Sequence, residues 1–156
     1  MRTLRLGRKF NLVLVHDAID YITTVADLKA TIETAAVHLV PGGVALFIPD
    51  DITETFTPGT TSGGEDDADG NSVRYLEWTH DIDRGATVGY VDYVIMIKEA
   101  GKELRIEHDR HMVGLFPRRF WEDAIATAGL DLVTVDQSKL EAESGVIFVA
   151  KAHSTS

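Results

Sequence analysis

One segment constrains this chain more than any other. It is Phe10-Asn-Leu-Val-Leu-Val-His-Asp-Ala-Ile-Asp-Tyr21, followed by a helical pattern and then Leu39-Val-Pro-Gly-Gly-Val-Ala-Leu-Phe47. Leu12 to Val15 is an unbroken aliphatic run, the pattern of a strand buried on both faces of a parallel sheet. Thr24-Val-Ala-Asp27 is a capping-box-like helix start, with an acid three positions after the hydroxyl. Val25, Leu28, Ile32, Ala35 and Leu39 then recur on one helical face. Pro41-Gly42-Gly43 is expected to stop the helix, and Val44 to Ile48 reads as the next buried strand. Strand, helix and strand joined this way predict a right-handed parallel crossover. Ligands in such sheets sit beyond the carboxyl ends of the strands, which makes His16, Asp17, Ala18, Ile19, Asp20 and Tyr21 the leading site candidates. The plainer reading stands beside it: Asp17 and Asp20 solvate a loop, and His16 ends a strand.

From Asp50 the character changes. Thr57 to Asn71 is rich in Gly, Thr and Asp, and reads as a surface loop or lid. Three strand-like stretches follow, Ser72 to His80, Thr87 to Lys98 and Lys102 to Val113, with a hairpin turn at Glu99-Ala-Gly-Lys102. Tyr90, Asp92, Val94, Met96 and Lys98 alternate with Val91, Tyr93, Ile95 and Ile97, as in a half-exposed antiparallel layer. Pro117 opens another helix, whose stripe is Phe120, Trp121, Ala124, Ile125 and Ala128 and whose end is Gly129. Leu130 to Val135 and Gly145 to Ala150 close the chain as strands. The expected architecture is one α/β domain over residues 1–156. Residues 1–50 and 114–156 form a partial Rossmann-like core with a parallel βαβ unit. Residues 72–113 form an inserted three-stranded antiparallel sheet.

Charge and composition exclude several classes. Acidic residues number 25 against 15 basic ones, a net charge of -10, which argues against binding nucleic acid or anionic membranes. There is no cysteine, so disulfides and thiolate chemistry are absent. Arg2, Arg5, Arg8 and Lys9 precede an apolar run too short for a signal peptide, and no stretch is long enough to span a bilayer. A cytoplasmic protein is expected. His108 and His111 lie three apart on a strand and point to opposite faces, so they do not share a metal, and no metal site is assigned. His111, beside Arg110, faces a substrate pocket or is structural. Arg74 is a candidate for an anionic substrate group, although strand arginines are usually structural. Trp78, Tyr90 and Tyr93 line a pocket or simply pack, and Trp78 is taken as the substrate-binding candidate. The acidic cluster Glu65-Asp66-Asp67-Ala68-Asp69 lacks the ligand spacing of a calcium loop. No P-loop, GxSxG or HExxH pattern occurs.

Further pieces add to the opening segment: Pro49-Asp50, Glu54-Thr-Phe56, Arg74, His108-Asp-Arg-His111, Gly114-Leu-Phe-Pro117, Ala128-Gly-Leu130 and Gly145-Val-Ile-Phe148. In this order and spacing, the chain resembles the C-terminal half of a class I S-adenosylmethionine-dependent methyltransferase, nearest to the sugar N-methyltransferase branch. The resemblance implies in-line methyl transfer from S-adenosylmethionine to an amine or hydroxyl of a small molecule. It places His16, Asp17 and Ile19 beside the cofactor. It places Tyr21 near a polar active-site position that is often histidine in the branch, with Tyr21 and His111 as catalytic residues and Arg74 facing the acceptor. The glycine-rich first motif and the acid after the second strand have no counterpart, Asn11 replaces the usual aspartate, and the arginine of the nucleotide-sugar branch is missing around Ser144. These departures imply a truncated fold that binds cofactor weakly or not at all by itself and self-associates over an exposed sheet edge as a homo-oligomer. Two other classes stay open: a non-catalytic, degenerate module binding a ligand or partner, and a small-ligand carrier built on the antiparallel layer.

Overall fold

A computed structural model describes residues 1–80, 87–133 and 146–154. The chain divides into two compact units, Met1–Phe56 with Gly114–Ser156, and Thr57–Val113.

The first unit is built on a four-stranded sheet of β1 (Phe10–His16), β2 (Leu39–Ile48), β7 (Leu130–Val133) and β8 (Phe148–Ala152). Their spatial order is β1-β2-β8-β7. β1 and β2 run parallel, β8 is antiparallel to β2, and β7 is antiparallel to β8. The parallel pair is joined through a short 3-10 turn (Ala18–Tyr21) and helix α1 (Val25–Val37). Thr24 caps α1, its hydroxyl accepting from the Asp27 N–H at 3.1 Å. The core joins alternate strand residues Ala45, Phe47, Phe148 and Ala150 to Leu28, Ile32 and Ala35 of α1. Trp121, Ala124 and Ile125 of helix α2 (Arg118–Thr127) complete it. Trp121 stacks on Phe148 with ring centroids 5.0 Å apart, and Phe116 meets Trp121 edge-on. Each such side chain, fully buried, contributes about 1.5–3 kcal/mol of transfer free energy.

Two expectations about this unit change. β1 is an edge strand and is not buried on both faces: Val13 and Val15 pack on the core, whereas Leu12 and Leu14 are 55% and 59% exposed. Pro41-Gly42-Gly43 does not stop the helix. α1 ends at Val37 with His38 as its C-cap, and the three residues lie inside β2. There the register jumps from Phe10↔Leu39 to Leu12↔Val44, a bulge in which Gly42 adopts φ +74°. A Cβ at Gly43 would come within 2.9 Å of the Val40 carbonyl oxygen, so the bulge itself needs glycine.

Where the chain leaves this unit and returns to it, the two backbone segments are tied together. The Thr53 N–H donates to the Phe116 carbonyl at 3.3 Å, and the Thr53 hydroxyl donates to the Leu115 carbonyl at 3.0 Å. The Glu54 carboxylate accepts from the Arg118 N–H at 3.0–3.1 Å, capping α2 just after Pro117.

The second unit is a four-stranded sheet of β3 (Gly59–Asp66), β4 (Ser72–His80), β5 (Val88–Lys98) and β6 (Arg105–Gly114), in that spatial order. The expected insertion of three strands therefore has four. Residues 57–71 are not a lid: β3 pairs with β4 in unbroken antiparallel register from Gly59↔Thr79 to Asp66↔Ser72. Asp67 then shapes the turn, its Oδ1 accepting from the Asp69 and Asn71 N–H groups. The hairpin at Glu99–Lys102 forms as expected, with Gly101 at φ +73° and the Lys102 N–H donating to the Glu99 carbonyl. Residues 134–135, Ser144 and Gly145, on which other expectations fell, lie outside the described residues.

Candidate functional site

In the first unit the chain turns sharply where β1 ends. Asp17 sits at φ 57°, ψ -71°, the tight γ-turn conformation that a non-glycine residue adopts only under strain. The following turn is closed by the Asp20 N–H donating to the Asp17 carbonyl and the Ile22 N–H donating to the Ile19 carbonyl. This leaves His16, Asp17, Ala18 and Tyr21 exposed and buries Ile19 and Asp20. His16 and Tyr21 are exposed, Tyr21 by 57%. In the β1–β2 register His16 lies opposite Ile48, on the same sheet face as Leu12 and Leu14. Ile19, expected beside a cofactor, is only 1% exposed and belongs to the hydrophobic core, so its side chain holds the loop down and offers a ligand nothing.

Asp20 is the unusual member. It is 8% exposed. Its Oδ1 accepts from the Asp50 N–H at 3.1 Å, which ties the loop after β1 to the end of β2. Its Oδ2 is buried with no hydrogen-bond partner. Burial above all, and then the neighbouring Asp50 and Asp17 carboxylates, push its pKa up to about 7. Asp51 is also pushed up by burial, its Oδ1 accepting from the Thr55 hydroxyl. The carboxyl ends of β1 and β2 thus carry Asp17, Asp20, Asp50 and Asp51, a concentration of negative charge suited to a cation. An apolar hollow of about 180 Å³ lies elsewhere in this unit, between the N-terminal segment, β1 and α1, lined by Leu4, Leu6, Phe10, Val13 and His38 among others.

In the second unit the polar side chains gather around a residue that the sequence does not single out. Asp92, in the middle of β5, is buried, and each of its oxygens receives two donors. Oδ1 accepts from His108 Nε2 at 2.6 Å and Arg110 Nε at 2.8 Å. Oδ2 accepts from an Arg110 terminal nitrogen at 2.8 Å and, in a very short contact, from His80 Nε2. Hydrogen bonds from Arg110 and then His80 hold its carboxyl well below the usual range. With both Nε2 atoms donating, each histidine turns its Nδ1 away from Asp92. Among the described residues no group of three or more His, Cys, Asp or Glu side chains is arranged to hold a metal ion.

Strand register separates the remaining candidates. Trp78 pairs with Asp92, and Arg74 pairs with Met96, so both lie on the Asp92 face. Trp78 is 51% exposed and its ring lies 4.4 Å from that of His80. Arg74 on that face is already engaged: its guanidinium grips both oxygens of Asp66 at 2.8–2.9 Å and donates to the Glu65 carbonyl. His111 lies on the opposite face, its ring 5.0 Å from Tyr93 and its Nε2 3.0 Å from Asp109. The sheet therefore does not bring His111 to the same surface as Arg74 and Trp78. In the alternation Asp92 is the one acid in the row Tyr90, Asp92, Val94, Met96, Lys98, but its partners come from other strands, so the row alone does not mark it.

No family model matches the chain. Curated relatives do. It is 35% identical over 132 residues to dTDP-3-amino-3,4,6-trideoxy-alpha-D-glucopyranose N,N-dimethyltransferase of Streptomyces venezuelae, covering 83% of this chain and 54% of that protein. It is 34% identical over 136 residues to dTDP-3-amino-3,6-dideoxy-alpha-D-glucopyranose N,N-dimethyltransferase of Streptomyces fradiae, covering 85% and 51%. Among solved structures, CalS10 with bound S-adenosylmethionine, an amino pentose methyltransferase from Micromonospora echinaspora, superposes with a TM-score of 0.77 at 26% identity. That match covers 96% of this chain and 61% of the other. The chain spans about half the length of the curated relatives it matches.

Proposed function

We infer the activity from the family: the chain belongs to the class I S-adenosylmethionine-dependent methyltransferases, near the sugar N-methyltransferase branch, and we propose that it serves methyl transfer to the amine of a sugar. The observation that carries this reading is the acid-lined end of the parallel strand pair, where Asp20 keeps a buried oxygen without a partner. S-adenosylmethionine supplies an activated methyl group on a sulfonium cation, and its methionine end carries an ammonium group. The site fits such a molecule, because carboxylates in a partly dry setting favour a nearby cation. Asp17 and Asp20 would hold the cationic end, with His16 beside them on the exposed loop.

Methyl transfer to an amine needs alignment more than acid–base chemistry. With S-adenosylmethionine bound, the methyl would pass to the amine nitrogen, and the part of this chain's residues would be to hold that nitrogen in line. Tyr21, exposed after the strained turn, would orient the amine through its hydroxyl. Within the second unit, taken by itself, Trp78 is proposed as a substrate contact on one face of the sheet, and His111 on the other face is kept as a separate catalytic candidate. Action in the cytoplasm and assembly of two copies over the apolar residues Leu12 and Leu14 of the edge strand complete the proposal.

The test is incubation of the chain with methyl-labelled S-adenosylmethionine and a 3-amino-3-deoxy sugar nucleotide. Labelled, N-methylated product is expected at a low rate, because the glycine-rich cofactor motif has no counterpart in this sequence, with Tyr21→Phe slowing turnover by about a further tenfold. Folded protein that yields no labelled product would overturn the reading.

A further inference from the structure

The Asp92 cluster links three strands, and beside those bonds it leaves further polar atoms and two aromatic rings on the same sheet face. The inward side consists of four N–H donors saturating one carboxylate. The outward side is what those bonds leave over. The Nε2 contacts of His80 and His108 leave Nδ1 of each ring outside the carboxylate's bonds, and Arg110 keeps a second terminal nitrogen outside them as well. His108 and Arg110 are exposed, and His80 is partly buried. Trp78 and Tyr90 flank them on the same face: Trp78 pairs with Asp92 and Tyr90 with His80. Both rings are partly exposed on a strand surface, where an aromatic residue with no ligand leaves apolar area in water.

The balance of charge selects among ligands. Arg110 pairs with the one carboxylate of the cluster, Asp92, within a chain of net charge -10. An anion gains little there. A polyhydroxylated ring gains most, because its C–H face covers an indole or phenol ring while its hydroxyls both donate and accept at the rim. We propose that the Asp92 face of the second unit is a sugar-ring site, with Trp78 and Tyr90 as the platform and the outward nitrogens of His80, His108 and Arg110 as hydroxyl partners. Asp92 is a positioning residue in it, fixing which nitrogen of each imidazole turns outward. The inference rests on the sugar-amine reading above, which supplies the class of ligand.

The test needs no cofactor, so it fails separately from the methyltransferase reading. The whole chain is titrated with 3-amino-3-deoxyglucose while the indole N–H and imidazole resonances are followed by NMR. Trp78 and His108 are expected to shift and saturate, while the core residue Trp121 stays still. Trp78→Ala, at an exposed position, and His108→Ala are each expected to weaken the affinity about tenfold, the equivalent of one good contact. A Trp78 signal that does not move with the sugar overturns the proposal. So does an affinity unchanged in both variants, or a response to thymidine diphosphate alone, which would make this a nucleotide surface.

Discussion

Asp20 in the first unit and Asp92 in the second are both buried acids beside the end or middle of a strand, yet their surroundings move them in opposite directions. Asp20 receives one backbone N–H, leaves an oxygen unpartnered and faces the acids Asp50 and Asp17; its pKa rises to about 7. Asp92 receives four N–H groups, two of them from one guanidinium, and is held far down. Burial alone would raise both. The number and charge of the donors decide the sign, and the two acids differ in what they can do as a result. Asp20 is left seeking a cation, whereas Asp92 is satisfied and orders the groups around it.

That contrast breaks most decisively at Asp20. The folded chain keeps the Asp20 proton to about pH 7, while the unfolded chain gives it up near pH 4. Its favourable contribution is therefore complete below about pH 4 and is lost as the pH rises through 7. Asp20→Asn removes the buried charge, so it should stabilise the protein at pH 8 by about 3 kcal/mol and leave pH 4 almost unchanged. Urea unfolding at the two pH values reads this directly, and equal gains at both would contradict the burial of that charge. Asp92 carries the opposite sign. Its contribution is present above the ordinary carboxylate range near pH 4 and is lost as the pH falls toward its depressed folded value. Asp92→Asn should lower the Tm at pH 7 by several degrees and abolish the acid-side decline, as followed by thermal melts from pH 7 to pH 3. Glu54 is a milder case, an exposed carboxylate accepting from the first N–H of α2. Glu54→Ala should cost about 1 kcal/mol in denaturant unfolding, the usual value of a lost cap. Arg74→Lys closes the series: its pair with Asp66 lies in water, and its replacement should leave the Tm unchanged at physiological salt.

How far the sequence reveals this molecule depends on whether the deciding partner is near or far along the chain. The β1–turn–α1–β2 unit is legible because its signals are local: an aliphatic run, the Thr24 cap and a helical stripe. The hairpin at Gly101 and the start of α2 after Pro117 are legible for the same reason. β3 is hidden because Gly59–Asp66 has no apolar alternation and is held by backbone pairing to β4. The exposure of Leu12 and Leu14 is hidden too, since an aliphatic run reads alike at the edge and the centre of a sheet. The Pro41-Gly42-Gly43 signal is plain but ambiguous, because the same residues that end a helix also permit a bulge. The candidate site divides along the same line. The loop His16–Tyr21 follows from the rule about strand ends, whereas Ile19 faces inward only because the turn rotates it there. Asp92 draws its partners from His80, His108 and Arg110 on two other strands, and the separation of His111 from Trp78 is a matter of pairing parity. Neither is written in any local pattern.

The ties at Thr53, Glu54, Leu115, Phe116 and Arg118 have a consequence for engineering. They fasten the outgoing and returning chain of the first unit to each other, independently of whatever is threaded between them. Loop-closure cost grows only with the logarithm of length, so a clasp already shut is nearly indifferent to its cargo. Residues 57–113 can thus be replaced by a short linker, or by a foreign domain with closely spaced termini, and the frame around them should remain a working graft acceptor.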